Sequence, residues 1–141
     1  MLDAVNDTQV NIYRDVFEHL VKPAIEKEQP DVIGISIVLQ QQMFSSMTFC
    51  ALIKQHFPHI HVTIGGNTVT RLRDVLPQSP LFQYFDSAGV YEGETAFVQL
   101  VSAVGAKGSL ADVPKPLPHV ATGRRLPPPT LVAGARTCPS P

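Results

Sequence analysis

The stretch Pro30 to Thr68, PDVIGISIVLQQQMFSSMTFCALIKQHFPHIHVTIGGNT, constrains the fold more than any other part of the chain. Val32 to Leu39 is a continuous apolar run broken only by Gly34 and Ser36, which predicts a strand buried on both faces. Met43, Met47, Cys50, Ile53 and Phe57 then recur on one side of a helix from about Gln41 to Phe57, which Pro58 ends. His61 to Ile64 is a second apolar strand, running into Gly65-Gly66-Asn67. A strand, a helix and a strand of this kind form a parallel unit, and such units bind ligands outside the carboxyl ends of their strands. Ser36 and Gly65 are therefore the first candidate site residues.

The flanking segments extend the same pattern. Tyr13, Phe17, Leu20, Val21 and Ala24 mark an amphipathic helix between Val10 and Glu28, capped by Asp7 or Thr8, with Pro23 predicting a kink. Thr70 to Leu76 reads as a short helix, Leu81 to Phe85 as one more helical turn, and Ser87 to Tyr91 as a third parallel strand. Phe97, Leu100, Val101 and Val104 hold helical spacing after Glu94, and Gly105 and Gly108 are expected to end that helix. Three strands alternating with helices predict an α/β fold, half of a doubly wound domain. The division expected is a domain over residues 1–108 and a proline-rich, extended or disordered tail over 109–141, with His119 to Thr122 offering a short edge strand.

A chain of 141 residues is long enough to own one core. Eleven basic residues against twelve acidic ones leave no charge excess to hold a nucleic acid or an anionic membrane. Cys50 and Cys138 lie far apart without metal-ligand spacing, as reduced thiols of a cytoplasmic protein would. No apolar run reaches the length of a membrane span, and no amino-terminal signal pattern is present.

Each motif residue has a structural and a functional reading. Ser36 can bond a neighbouring backbone group, or present its hydroxyl at the mouth of the sheet. Gly65-Gly66 can be a plain turn; without a third glycine it is a weak dinucleotide signal, and without a following lysine a weak phosphate signal. Glu92-Gly93-Glu94 suits a helix start, with an acid/base pair as the remote alternative. His56, His59 and His61 fall within six residues, yet one lies on a helix, one in a turn and one in a strand. A solvated turn, with His56 facing outward, explains them better than a metal site.

Taken together, PDVIGIS at Pro30 to Ser36, IGGN at Ile64 to Asn67, LFQYFDS at Leu81 to Ser87 and EGETAF at Glu92 to Phe97 resemble the cobalamin-binding domain that precedes the core of B12-dependent radical SAM enzymes. Related cobalamin domains carry Ser-x-Leu and, a little under thirty residues later, a Gly-Gly pair. Here Ser36-Ile37-Val38 and Gly65-Gly66 match, with Val38 in the leucine position. The resemblance implies a flavodoxin-like, Rossmann-type fold in which the nucleotide tail of cobalamin enters at the strand ends. Ser36 would bond its dimethylbenzimidazole, Val38, Glu92 and Gly93 would lie at the site, and Gly65, Gly66 and Asn67 would let the tail pass. A Gly66→Leu variant would then block entry while leaving the sheet folded.

The departures carry equal weight. No Asp-x-His-x-x-Gly segment supplies a histidine to cobalt, and no Cys-x-x-x-Cys-x-x-Cys motif supplies an iron-sulfur cluster. The family domain begins with a strand, a helix and a second strand, of which Met1-Leu2-Asp3 would be the remainder, so the resemblance implies truncation at both ends. Losing those strands would leave Val32 to Leu39 as an open edge prone to self-association. The expected function is a cobalamin-binding module without catalytic residues of its own. The alternatives are a protein-interaction domain on the same half-sheet, or a small nucleotide- or phosphate-binding protein using Gly65 to Thr68.

Overall fold

The computed structural model describes residues 2–7, 10–91, 93–107 and 120–122. Three parallel strands, β1 (Val32–Ser36), β2 (His61–Gly65) and β3 (Ser87–Gly89), lie in chain order, and β4 (Val120–Thr122) adds antiparallel to β3. The helices are α1 (Leu2–Asn6), α2 (Tyr13–Val16), α3 (Lys22–Glu28), α4 (Met43–His56), α5 (Asn67–Arg71) and α6 (Gly93–Lys107). This is the short parallel α/β sheet of a flavodoxin-like fold. The edge strand expected at 119–122 is β4; the rest of the tail lies outside the described residues.

Register gives the sheet two unlike faces. Gly34 pairs with Thr63 and Ser36 with Gly65, while Thr63 pairs with Ser87. Since partners in register share a face, one side carries Gly34, Ser36, Thr63, Gly65, Ser87 and Gly89, all small or polar. The other carries Ile33, Ile35, Val62, Ile64 and Ala88. These pack with Met43, Met47, Cys50 and Ile53 of α4, with Val69 and with Phe82 and Phe85, in one core that also takes Val5, Phe17 and Ile25. Leu100 and Val104 of α6 are buried apart from that core. Burial pushes the Cys50 thiol well above its ordinary range, so it is an inert core group.

Several expected boundaries shift for local reasons. Met1-Leu2-Asp3 does not continue a strand: Leu2–Asn6 is helical and buries Val5 against α4. Pro23 cannot donate to the His19 carbonyl, and the helix answers with a π turn over Phe17–Val21, closed by Lys22 N–H on Phe17 O. Thr8 lies outside the described residues; Asp7 Oδ1 accepts Val10 N–H at 3.3 Å, in the turn that precedes α2 rather than at its first residue. Asn11 Oδ1 accepts from Tyr13 N–H, while its Nδ2 donates to Thr48 Oγ1 at 2.9 Å and to Val5 O at 3.2 Å. One buried amide thus joins α1, α2 and α4. The short helix after the glycines is Asn67–Arg71 rather than Thr70 to Leu76, followed by 3-10 turns at Leu76–Gln78 and Pro80–Gln83. α6 runs through Gly105, whose surroundings are open, to Lys107; Gly108 is outside the described residues. Of its four spaced apolar residues only Leu100 and Val104 are buried.

The amino end of the sheet is closed by an ion pair. Lys54 Nζ donates to Asp86 Oδ2 at 2.8 Å, to Ile60 O at 3.0 Å and to Pro58 O at 3.2 Å. The same Asp86 oxygen accepts Val62 N–H, and Asp86 N–H donates to Val62 O. Burial alone would raise the Asp86 pKa; the Lys54 and Val62 hydrogen bonds and the Lys54 charge outweigh it and hold the carboxyl below its usual value. A depressed folded pKa contributes stability that is present above the unfolded value, about 3.9, and is lost as pH falls through the folded value. Urea denaturation should therefore show a smaller loss of stability between about pH 4 and pH 2 for Asp86→Asn than for the parent. Lys54→Met, which strands the buried carboxylate, should cost about 3 kcal/mol or more at neutral pH.

Candidate functional site

At its carboxyl end the sheet is left open. β1 stops at Ser36, three residues before the expected Leu39, because Ile37 turns inward: its N–H donates to Gly65 O at 2.7 Å, and its carbonyl accepts Thr68 N–H at 3.1 Å. Thr68 Oγ1 donates to Val38 O, and Gln42 Oε1 accepts the amides of both Val38 and Leu39 at 2.9 Å. These bonds free the side chains of Val38 and Leu39, which are exposed at the rim. Gln42 was missed in the sequence because nothing in a run of three glutamines marks the one that caps.

Ser36 is exposed, in register with Gly65, and its hydroxyl has no hydrogen-bond partner among the described residues. The local backbone bond that would have made it a plain strand-end serine is not formed. Gly34 is likewise exposed, so β1 is not the strand buried on both faces that its apolar run predicts. Its even residues point their backbone groups away from β2, since Asp31 O and Ile37 N–H both point toward it. β1 is an edge of the described sheet.

The two glycines do different work. Among the described residues a Cβ on Gly65 would meet only Gly89 O, at an ordinary 3.7 Å, so the position has room for one. Gly66 has φ +98°, and a Cβ there would lie 2.7 Å from Ile37 O. Gly66 is thus a steric requirement of the turn, and a Gly66→Leu variant would not leave the sheet intact, contrary to expectation. Asn67 is exposed at the start of α5.

Across the opening, β3 ends at Gly89, two residues short of Tyr91, because Tyr91 takes the left-handed conformation, φ 63°. Tyr91 N–H donates to Thr70 Oγ1 at 2.9 Å, and the Arg73 guanidinium lies 5.6 Å from the centre of its ring. Gly93 begins α6, one residue before the expected Glu94; Glu92 is outside the described residues, as is the Glu94 side chain. Deeper in, toward the amino end, His61 Nε2 lies 2.9 Å from Ser87 Oγ, which donates to Thr63 Oγ1 at 2.9 Å; Thr63 donates on to Ser87 O. With both hydroxyl protons committed, His61 Nε2 is the donor. His56 is exposed, as expected, while its ring lies against Phe17 and within 3.4 Å of Glu18; His61 is half-buried and so is not the solvated group expected. No cluster of three metal-ligating side chains occurs among the described residues.

A surface of Ser36, Gly65 and Gly89 at the carboxyl ends of parallel strands suits a flat or extended ligand that lies close to the backbone. A family model, the B12 binding domain, matches residues 3–101. The chain belongs to the B12-binding domain family. Searches of curated proteins and of solved structures found no match. The B12-binding domain match spans α1 to most of α6 and so takes in Ser36, Gly65 and Gly89. No described helix is long and apolar enough to cross a membrane.

The contrast between the glycines is measurable. Gly65→Ala should change the unfolding free energy by less than about 1 kcal/mol, whereas Gly66→Ala should lose about 2 kcal/mol or more, read from urea denaturation midpoints.

Proposed function

We propose that this chain binds cobalamin through the carboxyl end of its sheet, taking the nucleotide tail onto the face that carries Ser36, Gly65 and Gly89. The observation that carries the reading is the Ser36 hydroxyl, exposed and without a partner among the described residues, in register with a glycine that has room for a Cβ. Ser36 donates or accepts one hydrogen bond with the dimethylbenzimidazole. Gly65 allows backbone approach, Gly66 holds the turn that makes the approach open, Asn67, Val38 and Gly93 border the mouth, and Glu92 is assigned to the site on the resemblance alone. When bound, cobalamin supplies the cobalt-centred chemistry, while the chain supplies binding and orientation. The parent activity we infer is that of a B12-dependent radical SAM enzyme, with residues 1–108 as its corrinoid module and 109–141 outside it. The support is the order of the PDVIGIS, IGGN and EGETAF motifs, which the resemblance rests on.

A second role rests on one observation, the uncovered β1 edge. Val32, Gly34 and Ser36 direct their backbone groups away from β2, and an edge of this kind pairs readily with another strand. Self-association through β1 follows. Light scattering over a tenfold concentration range should give a mass that rises with concentration, and a constant monomer mass would remove this role.

For the binding site, protein incubated with hydroxocobalamin and passed through gel filtration should carry a corrinoid absorbance spectrum. Gly65→Leu should abolish it in a folded protein, and Ser36→Ala should weaken binding by about 1 kcal/mol, the size of one hydrogen bond. A colourless parent protein, or full affinity in Gly65→Leu, would refute the placement.

A further inference from the structure

On the small-residue face Ser36 and Gly34 are both exposed, but Gly34 has an aromatic ring where a Cβ would point. Phe97, on the first turns of α6, lies on Gly34: a Cβ built there would be 3.1 Å from Phe97 Cε2 and 3.6 Å from Cζ, with Thr63 Cγ2 at 3.8 Å. The ring occupies the space over the second small residue of β1 while remaining 44 % exposed. Gly34 stands two residues behind Ser36, about 7 Å deeper along the strand. An aromatic base entering past Ser36 reaches the Phe97 ring at about that depth.

We infer that Phe97 is a gate that decides which corrinoids this chain accepts: it occupies the end of the tail groove, and a base-bearing tail must displace it, whereas a corrinoid without a nucleotide need not. This inference rests on the cobalamin reading of the site. The ring is free to leave. The ring is 44 % exposed, its neighbours on α6 at Val98 and Val101 are exposed as well, and Gly34 beside it offers no side chain to hold it. Gly34 is what lets the ring lie down at all, since any side chain there would crowd it. The open-ring conformer is the binding-competent one for a base-bearing tail, and the apparent affinity is reduced by the fraction of molecules that populate it. Removing the ring removes that reduction for cobalamin alone.

Equilibrium titrations followed by corrin absorbance, with hydroxocobalamin and with cobinamide, which lacks the nucleotide, test this on the full chain. Phe97→Ala should tighten hydroxocobalamin binding on the order of fivefold and leave cobinamide unchanged. Phe97→Trp, which enlarges the obstruction and keeps an apolar ring on Gly34, should weaken hydroxocobalamin and again spare cobinamide. Unchanged or weakened cobalamin binding in Phe97→Ala, or equal shifts for both corrinoids in either variant, would overturn the gate while leaving the cobalamin site standing. Absence of binding of either corrinoid to the parent and to Phe97→Ala would overturn both.

Discussion

The two ends of this sheet are held on opposite principles, and the Lys54–Asp86 ion pair is what makes that arrangement possible. At the amino end one ammonium group satisfies two carbonyls and a carboxylate, and that carboxylate also takes the Val62 amide of the neighbouring strand. Charge-assisted bonds of this kind fix α4, β2 and the approach to β3 relative to one another. With the strands located from that end, the other end needs few contacts of its own. Ser36 is left without a partner, Gly65 without a side chain and β1 without an outer neighbour among the described strands. A buried ion pair is a weak source of net stability, and its value here is in positioning.

The period of two along each strand then separates packing from binding. Ile33, Ile35, Val62 and Ile64 complete the core on one face, where the crossovers through α4 and α5 lie. The residues between them are small or polar and could not have built a core. Their place on the sheet makes sense as a surface that a ligand approaches, bounded toward the amino end by the Phe97 ring over Gly34 and by the His61–Ser87–Thr63 hydrogen-bond chain. Family membership and this division of labour point the same way: the B12-binding domain match includes every strand of the parallel sheet.

Much of the fold was legible because hydrophobic runs and prolines punctuate it. The three parallel strands, α4 and the order of elements follow from apolar periodicity, and β4 from a short run after the prolines. What was not legible depends on contacts distant in sequence. The end of β1 at Ser36 is set by Gly65 and Thr68, and the cap at Asn11 by Thr48 on another helix. The unequal glycines could not be told apart in the string Gly65-Gly66, because only the approach of Ile37 gives the second its steric role. Phe97 reads in the sequence as one more core residue at helical spacing. Its position over Gly34 follows from α6 crossing the polar face, where few apolar groups exist to receive it.

The central claim is that the small-residue face at the carboxyl end of the sheet receives the corrinoid, and its most direct test is the response of backbone amide resonances to hydroxocobalamin. The account predicts that the largest shifts fall on Gly34 to Leu39, Gly65 to Thr68 and Gly89, with Cys50 and Val62 near their starting positions. Shifts centred on α4 or on the α2–α3 surface, with Ser36 and Gly65 unmoved, would contradict it.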